Sequence, residues 1–378
     1  MSDWSRLLAM AARHADTWGD RWRQRRAAGR TVPRPAHVQP YLGFGTTARL
    51  QLAGRVLHGQ PPPPAQPGDS ALRNALQFVR RMASSEVPGA RLSVRHGELQ
   101  QQVVADDEGY FQVDLRPVPP LPDEGGLHEV ELRLQSDHPA AGGADATQAL
   151  VMLPSPRARF GVISDIDDTV VRTHVHSRLR MLLTLARTNA HTRQPFEGVA
   201  ALYRALQAGA GGDEGNPLFY VSSSPWNLYT PLVEYLQAQD IPLGPLLLKD
   251  YGDHSLASLH DHHGHKQAAI ERVLGTYPAL PFVLIGDSSE QDPEIYADIA
   301  LQRPQRIRAV YIRSPRVNAR RQAAVDRLAD RVQDAGVPML GVADSVAAAR
   351  HALALGLIDE AAVAAVQADR RRDLASPG

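Results

Sequence analysis

Two textures of apolar and polar positions divide the chain. From Tyr41 to about Leu153, short segments alternate apolar with polar residues, as in ARLQLAGRVLHG, ARLSVRHGELQQQVVADDEGYFQVDL and HEVELRLQS, each closed by Gly, Pro or Asp. A period of two predicts strands with one face in a core and one in water, so this region is expected to form a small β-sandwich. Beyond Phe160 the apolar runs become continuous: FGVIS, PLFYVS, GPLLLK, PFVLIGD and RAVYIR. Between them GVAALYRALQAG, TPLVEYLQAQ and HKQAAIERVLGTY carry helical spacing. Strands apolar on both faces that alternate with helices predict an α/β unit with a doubly wound parallel sheet.

Punctuation sets the expected boundaries. Residues 1–40 predict a basic amphipathic helical segment, 41–153 the β-domain and 154–340 the α/β domain, with LPSPRAR (Leu153–Arg159) as linker. PPPPAQPG (Pro61–Gly68) excludes helix and central strand, and SALRNALQFVRRMA after it predicts a helix. From about Val317 the chain is Ala-rich and is expected to be helical, with 341–378 as a C-terminal helical segment. The acids of DDEGYFQVDL fit a plain turn, like that of transthyretin-like modules, or a calcium site.

Composition narrows the function classes. A chain of 378 residues predicts two or three domains. Lys plus Arg (41) equals Asp plus Glu (41), so no global electrostatic argument favours nucleic acid. Without cysteine there is no disulfide, thiolate metal site or cysteine nucleophile, which fits a reducing compartment. No apolar run approaches the ~20 residues of a membrane-spanning helix. The N-terminal stretch lacks the apolar core of a secretory signal and is expected to remain on the mature protein in the cytoplasm. There Trp4, Leu7, Leu8, Trp18 and Trp22 lie among Arg6, Arg13, Arg21, Arg23, Arg25 and Arg26. That pattern suits either a helix packed on its own protein or peripheral contact with an anionic inner membrane face.

What ends each apolar run carries the chemistry. Asp165 and Asp167 follow the first, Ser222 the second, Lys249 the third and Asp287 the fourth. Ligands bind at the carboxyl edge of open parallel sheets, so these residues are expected to meet around one crevice. Crowded carboxylates are tolerated beside a divalent cation or with one acid protonated, and both conditions suit phosphoryl transfer. Asp165 would attack phosphorus to form an aspartyl-phosphate, while Asp167 protonates the leaving oxygen and later activates water. Ser222 and Lys266 would hold the phosphoryl oxygens, and Asp292 would orient Lys266 or a metal-bound water. Asp165, Asp167 and Asp287 are the expected Mg²⁺ ligands.

DIDDT, YVSSSPWNLY, HK and IGDSSEQDPEIY resemble the four motifs of the haloacid dehalogenase superfamily of phosphohydrolases. Over roughly Pro156 to Pro315 the chain is similar to the catalytic domain of the actin-patch type of phosphatidate phosphatases, and YLGFGT and GRVL resemble the β-rich region of bacterial relatives. The resemblance implies Asp165 as nucleophile, Asp167 as acid/base, Ser222 and Lys266 as phosphate ligands, Asp287 as a Mg²⁺ ligand, and Thr169 tightening the phosphate-binding loop. It also implies phosphatidate as substrate, with diacylglycerol and phosphate as products. Family members often carry Gly in the middle of the fourth motif, where this chain has Ser289 followed by Glu290. That departure leaves the roles of Asp292 and Glu290 open.

Other features stand between two readings. The residues around 170–217, with His174, His176 and His191, form either a cap over the crevice or a local helical hairpin. His254, His260, His262, His263 and His265 belong to a polar loop or, less in keeping with their spacing, a zinc site. Trp226 and Tyr229 either cover the substrate or anchor the next helix. The alternatives to a lipid phosphatase are a phosphatase for a soluble metabolite or sugar phosphate and an inert membrane or partner adaptor.

Overall fold

The computed structural model of the chain describes residues 35–59, 86–135, 146–166, 197–249, 262–313 and 319–375. Within them, β1 (Ala36–Pro40), β2 (Gly43–Thr46), β3 (Arg49–His58), β4 (Arg91–His96), β5 (Leu99–Val104), β6 (Tyr110–Leu115), β7 (Gly126–Leu134) and β8 (Thr147–Leu153) join in one sheet. Its order is β1-β3-β2-β8-β7-β4-β5, with β6 on β3, and β2 and β8 alone run parallel. The long β3 takes β1 and β2 at its two ends and β6 along its length. Period-two alternation puts Leu92 and Val94, Phe111 and Val113, and Val130 and Leu132 into a common core, leaving the intervening residues outside.

One local expectation is revised here, and one choice left open by the sequence is decided. Residues 36–40, assigned to a helical segment, form β1, because their backbone pairs with the far end of β3. The DDEG stretch is a plain turn in which an Asp106 carboxylate oxygen accepts the N–H groups of Glu108 and Tyr110, both at 2.9 Å.

The second sheet is parallel throughout, in the order β11-β10-β9-β12-β13-β14. It contains β9 (Gly161–Asp165), β10 (Leu218–Pro225), β11 (Leu246–Lys249), β12 (Phe282–Asp287), β13 (Ile307–Arg313) and β14 (Met339–Val342). Successive residues of each strand feed opposite faces. Val162, Tyr220, Val283 and Ile285 pack against α1 (Val199–Ala208), α2 (Tyr229–Ala238), α6 (Ser345–Ala354) and α7 (Glu360–Ala375). Ile163, Phe219, Val221 and Leu284 pack against α3 (His262–Thr276), α4 (Asp292–Gln302) and α5 (Ala319–Asp334). Continuous apolar runs are therefore required, since neither face meets water. A four-residue strand, β14, interrupts the region expected to be helical after Val317; it is too short to show a period, and it forms because β13 offers a free edge to Met339–Val342.

The two sheets are joined by side chains as well as by the chain. Phe44 of β2 enters the α/β core against Phe219 at 5.5 Å between ring centroids, and Tyr41 stacks on Trp226 at 4.2 Å. The Tyr229 hydroxyl accepts the Leu42 N–H at 2.7 Å, and Gln39 Nε2 donates to Thr230 Oγ1 at 2.7 Å. Burial raises the Tyr229 pKa to about 12, so it stays a neutral phenol. Trp226 and Tyr229 thus anchor the segment after β10 to the first sheet.

Candidate active site

Register brings the polar residues together. Val221 of β10 lies opposite Asp165, and Ile285 of β12 lies opposite Ser164. Ser222, Asp165 and Asp287 therefore leave three adjacent parallel strands at the same carboxyl end, the edge where such sheets bind ligands. All three are fully buried, as are Asp292 and, to within 2 %, Lys266.

Lys266, in the first turns of α3, reaches under this edge. Its Nζ donates to Asp165 Oδ1, Asp292 Oδ1 and Glu290 Oε2, each at 2.7 Å. Burial by itself would lower the Lys266 pKa, but the charges of Asp165, Asp292 and Glu290 together raise it well above that of a free lysine. The ammonium is thus held charged at every ordinary pH. Asp292 is pushed up by burial and pulled back in part by Lys266. Its other oxygen accepts the Asp287 N–H at 3.1 Å. Gly286 makes that approach possible, because a Cβ there would stand 2.6 Å from Asp292 Oδ2.

Around this centre lie supports that no short motif announces. Asp287 Oδ1 accepts the Ser289 N–H at 2.6 Å, and Arg313 Nη1 lies 3.7 Å from Asp287 Oδ2. Arg313 ends β13, so the edge rule that picked out Asp287 applies to it as well. Arg321 of α5 donates to the carbonyls of Ser288 and Glu290, at 2.8 and 2.5 Å, and clasps Glu294. Beneath the strand, Ser164 Oγ and the Tyr203 hydroxyl share a hydrogen bond of 2.6 Å, and burial keeps that phenol protonated. Ser222 Oγ accepts the Ser224 N–H at 2.9 Å. His265 carries a pKa lowered by burial and by Lys249, so its ring is neutral at neutral pH.

The structure brings Asp165, Ser222, Lys266, Asp287 and Asp292 to one place. Asp167, Asp168 and Thr169, the region 170–196, His254 and His260 lie outside the described residues, as do the side chains of His262 and His263. Glu290 is the addition: it belongs to IGDSSEQDPEIY, but its contact with Lys266 has no local signature. Lys249 is buried at the end of β11, beside His265.

Oxygen donors dominate the site, which fits a hard divalent cation. Asp165, Glu290 and Asp292 bring one carboxylate oxygen each within 4.8 Å of one another. The Lys266 ammonium fills the middle of that trio, and Asp287, on the strand next to that of Asp165, is the further carboxylate at the same edge.

Residues 160–314 match the family model described as "Phosphatidate phosphatase APP1, catalytic domain". The match begins just before β9 and ends after β13, and so contains every member of the cluster. The phosphatidate phosphatase APP1 of Saccharomyces cerevisiae is 35% identical over 155 residues, covering 41% of this chain and 26% of that protein. An uncharacterized protein of Schizosaccharomyces pombe is 26% identical over 250 residues, 63% of this chain and 40% of its own length. The chain thus spans well under half the length of these two relatives. Among solved structures, a carbohydrate acetylesterase from Xanthomonas citri covers 79% of this chain and 74% of its own, at 10% identity and a TM-score of 0.25, which carries no argument.

Proposed function

We propose that the chain is a Mg²⁺-dependent phosphomonoester hydrolase of haloacid dehalogenase type that removes phosphate from phosphatidate through an aspartyl-phosphate. The observation that carries the reading is the Lys266 ammonium 2.7 Å from Asp165, at the carboxyl edge of the segment that matches the phosphatidate phosphatase catalytic domain. The strand order, with β9 central and the chain crossing to either side of it, supports a doubly wound sheet with its ligand crevice at that point.

In this reading an Asp165 carboxylate oxygen attacks phosphorus as the alkoxide of the glycerol leaves, and Asp167 gives that oxygen a proton. Lys266 and Ser222 hold the phosphoryl oxygens, Thr169 closes the loop, and Asp292 fixes the Lys266 amine. Asp167 then takes a proton from the water that cleaves the acyl phosphate. Asp165, Asp167 and Asp287 would hold Mg²⁺, which when bound supplies positive charge against the charge spreading over the phosphoryl oxygens. Cytoplasmic residence with peripheral contact through the Trp18–Arg26 region belongs to the same reading, although no helix among the described residues is long and apolar enough to cross a membrane.

The test is phosphate release from phosphatidate in mixed micelles, with and without Mg²⁺, for the wild-type protein and Asp165→Asn. Metal-dependent turnover that falls at least about 1000-fold in the variant is expected. Hydrolysis confined to a soluble phosphate ester would keep the mechanism and remove the lipid. Turnover that survives Asp165→Asn would remove the mechanism.

A further inference from the structure

An ammonium group has three protons to donate and no more. In this structure all three lie along contacts with carboxylates: Asp165, Asp292 and Glu290, each at 2.7 Å from Lys266 Nζ. A phosphoryl group that is to be held by Lys266 must displace one of them. The three are not equal candidates. The Asp165 and Asp292 side chains are wholly buried, and Asp292 is tied by its second oxygen to the Asp287 N–H. The Glu290 side chain is 34% exposed and can rotate into water, where its charge is solvated. Its backbone need not follow, because Arg321 Nη2 holds the Glu290 carbonyl at 2.5 Å.

We infer that Glu290 occupies the phosphate position on Lys266 in the resting site and is displaced by the substrate's phosphoryl group. The inference rests on the phosphohydrolase reading above and adds to it a competing internal anion. Glu290 keeps the buried lysine paired while the crevice is empty, and the substrate must be anionic enough to replace it. A dianionic phosphomonoester meets that demand better than a neutral or singly charged ester, so Glu290 favours the monoester.

The test measures inorganic phosphate binding by calorimetry, with and without Mg²⁺, to the full chain and to Glu290→Gln and Glu290→Asp. Aspartate retains the charge but, shorter by one methylene, withdraws it from Lys266. Displacement predicts that both variants bind phosphate about five-fold tighter than wild type, with KM for a soluble ester falling in step and kcat changing less than about twofold. If glutamine tightens binding while aspartate behaves as wild type, Glu290 only repels the anion through its charge, and displacement is wrong. If both variants bind phosphate more weakly, Glu290 holds Lys266 for the ligand, and displacement is again wrong. The underlying reading fails separately: a wild-type protein that binds no phosphate, or hydrolyses esters without Asp165, overturns both.

Discussion

The two sheets of this protein handle charge in opposite ways. In the antiparallel sheet alternation brings many side chains to solvent: Arg49 and Asp114 meet at 2.8 Å across β3 and β6 with side chains 48% and 40% exposed, and even the buried Arg55 pairs with a partly exposed acid, Glu86, at 2.8 Å. In the parallel sheet both faces are covered by helices, and polar groups find room at the strand ends alone. There the charges are buried, and Lys266 holds two carboxylates that see no water at all. A pair in water is worth little, whereas a buried cluster is costly to assemble and costlier to break, because whatever charge remains has lost its compensation. Such an arrangement has a use when charge must develop on a ligand in a dry crevice.

Three substitutions sharpen this contrast, in decreasing order of effect. Lys266→Met should be the most damaging, since it leaves Asp165, Asp292 and Glu290 facing one another; urea unfolding should show a loss of about 3 to 5 kcal/mol. A loss below about 1 kcal/mol would mean that the acids relax by taking up protons or water, and that the cluster is softer than its distances indicate. Next, Tyr41→Ala removes the ring stacked on Trp226 and should cost about 3 kcal/mol. Calorimetry should then resolve two transitions in place of one, because the seam between the sheets is weakened while each core is untouched; one unchanged transition would show that the remaining contacts, Phe44 against Phe219 and the hydrogen bonds of Gln39 and Tyr229, couple the sheets without the Tyr41 ring. Last, Arg49→Met should shift stability by less than about 1 kcal/mol, and less still at high salt. A larger loss would erase the distinction between the two sheets.

Much of this architecture could be read before any coordinates. Five of the six parallel strands followed from runs apolar at every position, and the antiparallel region from its alternation, because burial on two faces or on one leaves a direct mark on sequence. The edge rule then located Asp165, Ser222 and Asp287, since a buried strand can place a polar residue only where it emerges. By contrast, β14 escaped notice, as four residues between two helices carry no measurable period. The single continuous sheet of the β-domain was also beyond local pattern, because pairing β3 with three partners depends on its length and register.

Amino-acid order by itself determined which segments are buried on both faces, where each of them ends and which acids crowd at those ends. Only the tertiary structure decided who meets whom. Lys266 and Asp165 are 101 positions apart, and no periodicity links them; parallel crossovers and the placement of α3 set their 2.7 Å contact. The same holds for Glu290 as the third partner of that lysine, for Arg321 on the loop carbonyls and for Tyr203 beneath Ser164. Local patterns record how much water a residue sees, whereas the choice among several nearby acids is settled by register and packing, to which the sequence around any one of them is blind.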